Sequence, residues 1–407
     1  MFPFRKLVLT AVFLGLSSPC ARSAELLSLP RALEIAREHA PAVLAARERI
    51  AEARGRLAGT SVLLHQNPVV EAAAGPSFSR QGRSTDVDFD VRQGLELAGQ
   101  RGARMAGAQA GVARATAGVD DDTRRLLHDV AIAFSRGLAA GEQSRLRGRA
   151  ADVAAELVRI AERRYQNGEV AILDVNAARI AAARARAEAR DAEAEQARVL
   201  GDLRVLLGVD ADDAVELTGS LDDRPRYRLD SLLDATTNRP DLRALAAELG
   251  EADADRRLGE ASRWPEVGVR LGYKREEEAN VPLAGFSVTL PVFVDGREQR
   301  ATASARARRL RVELESGRRA AATEVRAAFD AYQREVSAVD ELEHDALPLL
   351  DETDRLATRS YELGQTSLPD LLAVRREVLE TRLAYTARQL DAARARFELE
   401  ARAGVLK

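Results

Sequence analysis

Apolar residues keep two different periods along this chain. Val267, Val269, Leu271 and Tyr273 alternate with Glu266, Gly268, Arg270 and Gly272, and further on Phe286, Val288, Leu290 and Val292 alternate with Ser287, Thr289 and Pro291. A period of two predicts strands with one apolar face, here the arms of a hairpin about nine residues long. Earlier in the chain Val87, Phe89 and Val91 alternate with Asp86, Asp88, Asp90 and Arg92, after a shorter extended stretch from Asn67 to Gly75. Elsewhere the pattern is helical. No proline occurs between Pro76 and Pro225, and the stretch from about Ala98 to Tyr165 is rich in the strong helix formers Ala, Arg, Leu and Glu. Unbroken, it makes roughly 100 Å of helix. Leu146, Val153 and Ile160 stand at seven-residue steps, as do Leu342, Leu349, Leu356 and Leu363, so these helices are expected to pack on others with coiled-coil character.

The two periods recur because the chain is duplicated. Pro68, Phe89 and Gly99 reappear 197 residues on as Pro265, Phe286 and Gly296, while Tyr165, Gly168, Asp174 and Gly208 reappear 196 on as Tyr361, Gly364, Asp370 and Gly404. What both copies hold belongs to the architecture, and what one copy alone holds is a candidate for specialised function. The expected organisation is a signal peptide at 1–23 and a first repeat at 24–210, with its β-hairpin near 67–95 and a helical tip near 168. A connection at 211–240 opens the second repeat, which continues at 241–407 with a β-hairpin near 265–293 and a tip near 364.

The first segment reads as an address. Arg5 and Lys6 precede the apolar run Leu7 to Leu16, and Ala21 and Ser23 follow, the order of a secretory signal peptide. Cleavage after Ser23 removes Cys20, the only cysteine, so the mature chain has no disulfide or thiolate chemistry. A lipoprotein reading keeps Cys20 as an acylated first residue, although Pro19 and Ser17 suit that processing badly. Net charge is −3, which gives no bulk attraction to nucleic acid. The segments after residue 24 are too broken by charge for a helical membrane span of roughly 20 apolar residues. His39, His65, His128 and His344 are scattered, and Met105 has no thioether neighbours, so no metal site or other cofactor is expected. Zinc-ligand spacing, a nucleophile elbow and a phosphate loop are all absent from the sequence, which argues against an enzyme.

Strands of nine to eleven residues, tilted, are long enough to cross a bilayer. The alternation also suits a half-buried hairpin on a soluble domain, and the helices alone suit a plain coiled-coil scaffold. If the strands do span, counting decides the assembly. Backbone groups in lipid must pair, so spanning strands need a closed barrel of at least eight. One chain offers four, and three copies give twelve with a quasi-sixfold helical tube beneath.

Two signatures then carry a resemblance. One is the hairpin tip, Tyr165, Gly168, Val170, Ile172, Asp174 and Val175, repeated as Tyr361, Gly364, Thr366, Leu368, Asp370 and Leu371. The other is the strand-to-helix junction, Gln93, Leu95, Glu96, Leu97, Gly99, Arg101 and Arg104, with Leu290 to Val292, Phe293, Asp295, Gly296 and Arg297 in the second copy. Over essentially the whole mature chain the sequence resembles the TolC-like outer-membrane factors. Asn67, Pro68, Glu71 and the first junction are most similar to the heavy-metal branch, of the cobalt-zinc-cadmium and copper-silver type.

The resemblance implies a mainly α fold with a small β part: duplicated long helical hairpins forming an α-barrel, and four membrane strands per chain in a trimeric twelve-stranded β-barrel. It implies a passive exit duct in the bacterial outer membrane, its helical tunnel in the periplasm. The implied partners are a homotrimer, outer-membrane lipid, a periplasmic adaptor (membrane fusion protein) and an inner-membrane pump of the RND type. The implied cargo is metal cations or small toxic compounds. Type I protein secretion uses the same tunnel and stays open as an alternative, whereas a periplasmic adaptor fits poorly with duplicated hairpins.

At the tips the resemblance implies adaptor docking at Tyr165, Gly168, Val170, Tyr361, Gly364 and Thr366, and a pore constriction at Asp174, Asp370 and Tyr361. From the residues themselves, the two aspartates fall one turn into the returning helices, where capping is the plainer role. Rings of carboxylates in a narrow mouth would also favour cations. The family's prototype gate uses an arginine two residues after the second-tip glycine and an aspartate nine after it. Here Thr366 and Ala373 stand there, so a closed tip is expected to rest on fewer charged contacts and more on helix packing.

Overall fold

The computed structural model describes residues 25–79, 82–210, 215–276 and 279–406. The expected signal peptide, Cys20 included, lies outside the described residues. A short strand, β1 (Glu25–Leu27), leads into helices α1 (Leu29–His39) and α2 (Pro41–Thr60), which rise to the hairpin β2 (Val69–Ser79) and β3 (Gly82–Leu95). The first long pair follows as α3 (Gln100–Gln166) and α4 (Ile172–Leu207), and then the connection, with β4 (Val215–Leu217) and α5 (Leu229–Thr236). The second copy runs α6 (Pro240–Ala261), β5 (Glu266–Glu276), β6 (Ala279–Thr289), α7 (Arg297–Glu341), a π-helical turn (Leu342–Ala346), α8 (Leu347–Glu362) and α9 (Leu368–Ala403).

Helix ends follow the local chemistry. Pro41 and Pro240 open α2 and α6 at the position where a missing N–H costs nothing. The largest buried cluster lies at mid-height, where Val130 and Phe134 of α3, Leu203 and Leu207 of α4, Leu33 of α1 and Phe397 of α9 meet. β4 pairs in parallel with β1 beside it, and Gly137 of α3 leaves room for Leu217, whose Cδ1 would stand 2.4 Å from an added Cβ.

The four long strands form one antiparallel sheet in the order β2-β3-β5-β6. Its register separates two faces. Val70, Val91, Leu271 and Ala284 stand in one cross-strand row, and Ala72, Phe89, Tyr273 and Pro282 in the next. The opposite face holds Glu71, Asp88, Asp90, Arg92, Arg270 and Lys274, with Arg270 paired to Asp90 and Arg92 to Glu71 at 2.6 Å. The polar residues that break the apolar face, Arg83, Thr85, Gln93, Arg275 and Asn280, lie toward strand ends. Side chains of the apolar face are open: Phe286 is 80% and Leu271 64% exposed. β2 and β6 each leave one edge unpaired in this sheet.

One expectation needs correction. The strand through Phe286 stops at Thr289 instead of reaching Val292, because Pro291 has no N–H for a ladder; the arms are eleven to fourteen residues long. The seven-step stripe is covered unevenly: in the first copy Leu146 is buried and Ile160 packs on the tip cluster, whereas in the second Leu349, Leu356 and Leu363 are 59%, 60% and 56% exposed. Near the tips the arms meet through Leu157, Ala161, Val175, Ala178, Leu368 and Leu371. Among the described residues no helix is long and apolar enough to cross a membrane.

Candidate functional site

The end of the molecule opposite the sheet is where the two helical hairpins turn. Each turn needs one residue of positive φ, and Gly168 (φ 77°) and Gly364 (φ 68°) supply it. The closing bonds are the same in both copies: Gly168 N–H donates to Tyr165 O and Glu169 N–H to Arg164 O, while Gly364 N–H donates to Tyr361 O and Gln365 N–H to Ser360 O. This pair of bonds satisfies the last carbonyls of α3 and α8.

The returning helices start differently. In α9, Ser367 Oγ accepts from Asp370 N–H at 3.4 Å and donates to the Asp370 carboxylate at 2.5 Å, a reciprocal cap with Pro369 beside it. In α4 the cap position is Ala171, so Asp174 has no such partner and faces the helix N-terminus with its charge alone. Asp370 is exposed and Asp174 half-buried.

The tyrosines also part company. Tyr165 is 46% exposed, whereas Tyr361 is 2% exposed and sits among Leu157, Ala161, Val175, Ala178, Leu368 and Leu371, side chains from both hairpins. Tyr361 is therefore the residue around which the two tips pack. Burial pushes its phenol pKa up; Arg164 opposes the shift and the Asp174 carboxylate adds to it. Its hydroxyl has no hydrogen-bond partner among the described residues.

Arg164 holds the arrangement from the other hairpin. Its Nη1 donates to Tyr361 O at 2.9 Å, its guanidinium carbon lies 4.9 Å from the Tyr361 ring centroid, and its Nε donates to Glu169 at 3.1 Å. A cation thus sits on the carbonyl end of α8 and on an aromatic face together, both favourable positions for it. Two further arginines brace the hairpins internally, one in each: Arg179 reaches Glu162 at 2.6 Å, and Arg375 reaches Thr358 Oγ1 at 3.0 Å.

Of the residues singled out from sequence, the fold brings Asp174 and Tyr361 into one cluster and leaves Asp370 in a local cap. Val170 and Thr366 occupy equivalent, half-buried places in the two turns. The three arginines were not foreseen, and the duplication carried the signal for them. Arg179 and Arg375 keep the 196-residue separation, while Arg164 has Ser360 in the other copy. Among the described residues no cluster of His, Cys, Asp and Glu is arranged to hold a metal ion.

Known proteins agree with this architecture. Residues 32–209 and 232–405 match the family model for outer membrane efflux proteins. The cobalt-zinc-cadmium resistance protein CzcC of Cupriavidus metallidurans is 29% identical over 297 residues, covering 72% of this chain and 70% of its own. Protein CyaE of Bordetella pertussis is 28% identical over 314 residues, 70% of this chain and 65% of its own. In structure the chain is similar to CusC, with a TM-score of 0.78 at 17% identity over 92% of this chain and 91% of that one. With both halves of the duplication covered, the chain belongs to the outer membrane efflux protein family, and its sheet and paired hairpins are those of an outer-membrane channel.

Proposed function

We propose that three copies of this chain form a passive exit duct for metal cations, working with a periplasmic adaptor and an inner-membrane pump of the RND type and performing no catalysis. The observation that carries the duct is the two-faced sheet with both edges open. An apolar face suits lipid, a charged face suits water, and only pairing β2 of one copy with β6 of the next leaves no backbone group bare in the bilayer. Because four strands is an even number, every junction in such a ring is antiparallel. In this reading the two repeats, 24–210 and 241–407, are equivalent sectors of the tube, and 211–240 is the strap that joins them. The exposed leucine stripe of α8 would then lie against a neighbouring copy.

The metal cargo is supported by the likeness to CzcC. At the tips, the turns of Gly168, Val170, Gly364 and Thr366 are placed to receive the adaptor, and Asp174, Asp370 and Tyr361 border the constriction. Deletion of the gene tests the cargo: cells should accumulate cobalt, zinc or cadmium and stop growing at lower concentrations of them, and the intact gene should restore both. Unchanged metal content together with the loss of a secreted protein from the medium would replace the metal reading with protein export.

A further inference from the structure

The first copy carries α3 as one unbroken helix of 67 residues, but the second breaks at the π-helical turn Leu342–Ala346, where Leu347 N–H donates back five residues to Leu342 O. The cause is local. Pro348 has no N–H, and its ring would press on the carbonyl of His344 in a regular helix; the first copy has Asp152 in that place. A π-turn beside a proline is a weak point at which a helix bends.

Below the break, α8 buries little and is tied to α9 by side chains, Arg382 with Asp351 and Arg375 with Thr358 at 3.0 Å. Tyr361, at its far end, is its one buried residue, so between hinge and tip the helix is a lever of 16 residues, about 24 Å long. Above the break, the segment between β4 and α5 grips it. Arg224, whose side chain is 17% exposed, reaches Asp340 in the last turn of α7 at 2.9 Å and Glu343 inside the π-turn at 2.6 Å. The same segment is anchored to α9 by Asp223 with Arg396, and to α7 by the Tyr332 hydroxyl donating to Pro225 O at 2.8 Å.

We propose that the π-turn is the hinge of α8 and that Arg224 is the clamp that fixes its angle, so that the strap between the repeats controls the tip from mid-height. The control of the tip rests on the reading of the tip as the aperture; the clamp itself does not. Arg224 is a positioning residue and touches no cargo.

The test uses the full-length trimer in detergent and in planar bilayers. Arg224→Ala should speed amide hydrogen exchange from Leu342 to Leu349 by about tenfold and lengthen the time spent in a high-conductance state. Asp340→Asn with Glu343→Gln, which leaves Arg224 in place, should do the same. Adding Pro348→Ala to Arg224→Ala restores a regular helix and should return both readings to those of the unaltered protein. Unchanged exchange in both clamp variants, or no reversal by Pro348→Ala, overturns the proposal. Faster exchange with unchanged conductance supports the clamp and overturns the tip as the aperture.

Discussion

Leu271→Arg should abolish assembly in the outer membrane, whereas Leu283→Arg, the same chemical change twelve residues on, should leave it largely intact. Leu271 stands mid-strand in the row Val70, Val91, Leu271 and Ala284, on the face assigned to lipid. Leu283 stands in the row of Glu71, Asp90 and Gly272, on the charged face. An arginine at the lipid-facing midplane of a barrel costs about 2–4 kcal/mol, and three copies carry roughly 6–12 kcal/mol together. In the lumen the same guanidinium stays hydrated and has carboxylates beside it. Dissociation-resistant trimer in membrane fractions is the measurement. Equal losses from both variants would mean that the faces are not divided between lipid and water.

Arg164→Ala should leave the trimer assembled but its tip open for much longer. The variant loses a charged hydrogen bond to Tyr361 O and the contact with the Tyr361 ring, together worth about 2 kcal/mol per copy. That shifts the closed-to-open ratio of each copy by about 30-fold. Single-channel recording should show long-lived high-conductance states, and a trace like that of the unaltered channel would remove Arg164 from the closure. Asp370→Ala is the informative companion. It leaves the Ser367 cap on the backbone N–H of residue 370 but removes the carboxylate that accepts from Ser367 near the helix N-terminus, worth about 0.5 kcal/mol. The same change takes one carboxylate per copy from the mouth, so preference for cations should fall while the tip stays mostly shut. If cation preference and conductance both hold, Asp370 is a capping residue and the constriction must be drawn without it.

Much of this architecture was legible in the chain because its strongest signals are periodic. Val267 to Tyr273 announces a strand with one apolar face by alternation, and the recurrence of Gly168 as Gly364 marks the turns. What the sequence hid depends on distance in space. Tyr165 and Tyr361 are equivalent by position, yet only the second is buried, since burial is decided by the meeting of two hairpins and not by the local pattern. The seven-step leucines of α8 are open within the chain, because an apolar stripe records that something covers it, not what. Arg164 is one of 58 arginines, set apart in the sequence only by having Ser360 at its place in the second copy. The π-turn was signalled by Pro348 in a helix whose first copy has none.

The duct stands or falls on whether three chains close one barrel. With Cys20 replaced by serine, no cysteine remains, so single cysteines placed along the outer edges of β2 and β6, one on each strand of the same chain, report only designed contacts. Oxidation in intact outer membranes should link β2 of one copy to β6 of the next and give covalent species that end at three chains. Cross-links absent at every register, or a ladder that continues past three, would contradict the twelve-stranded ring.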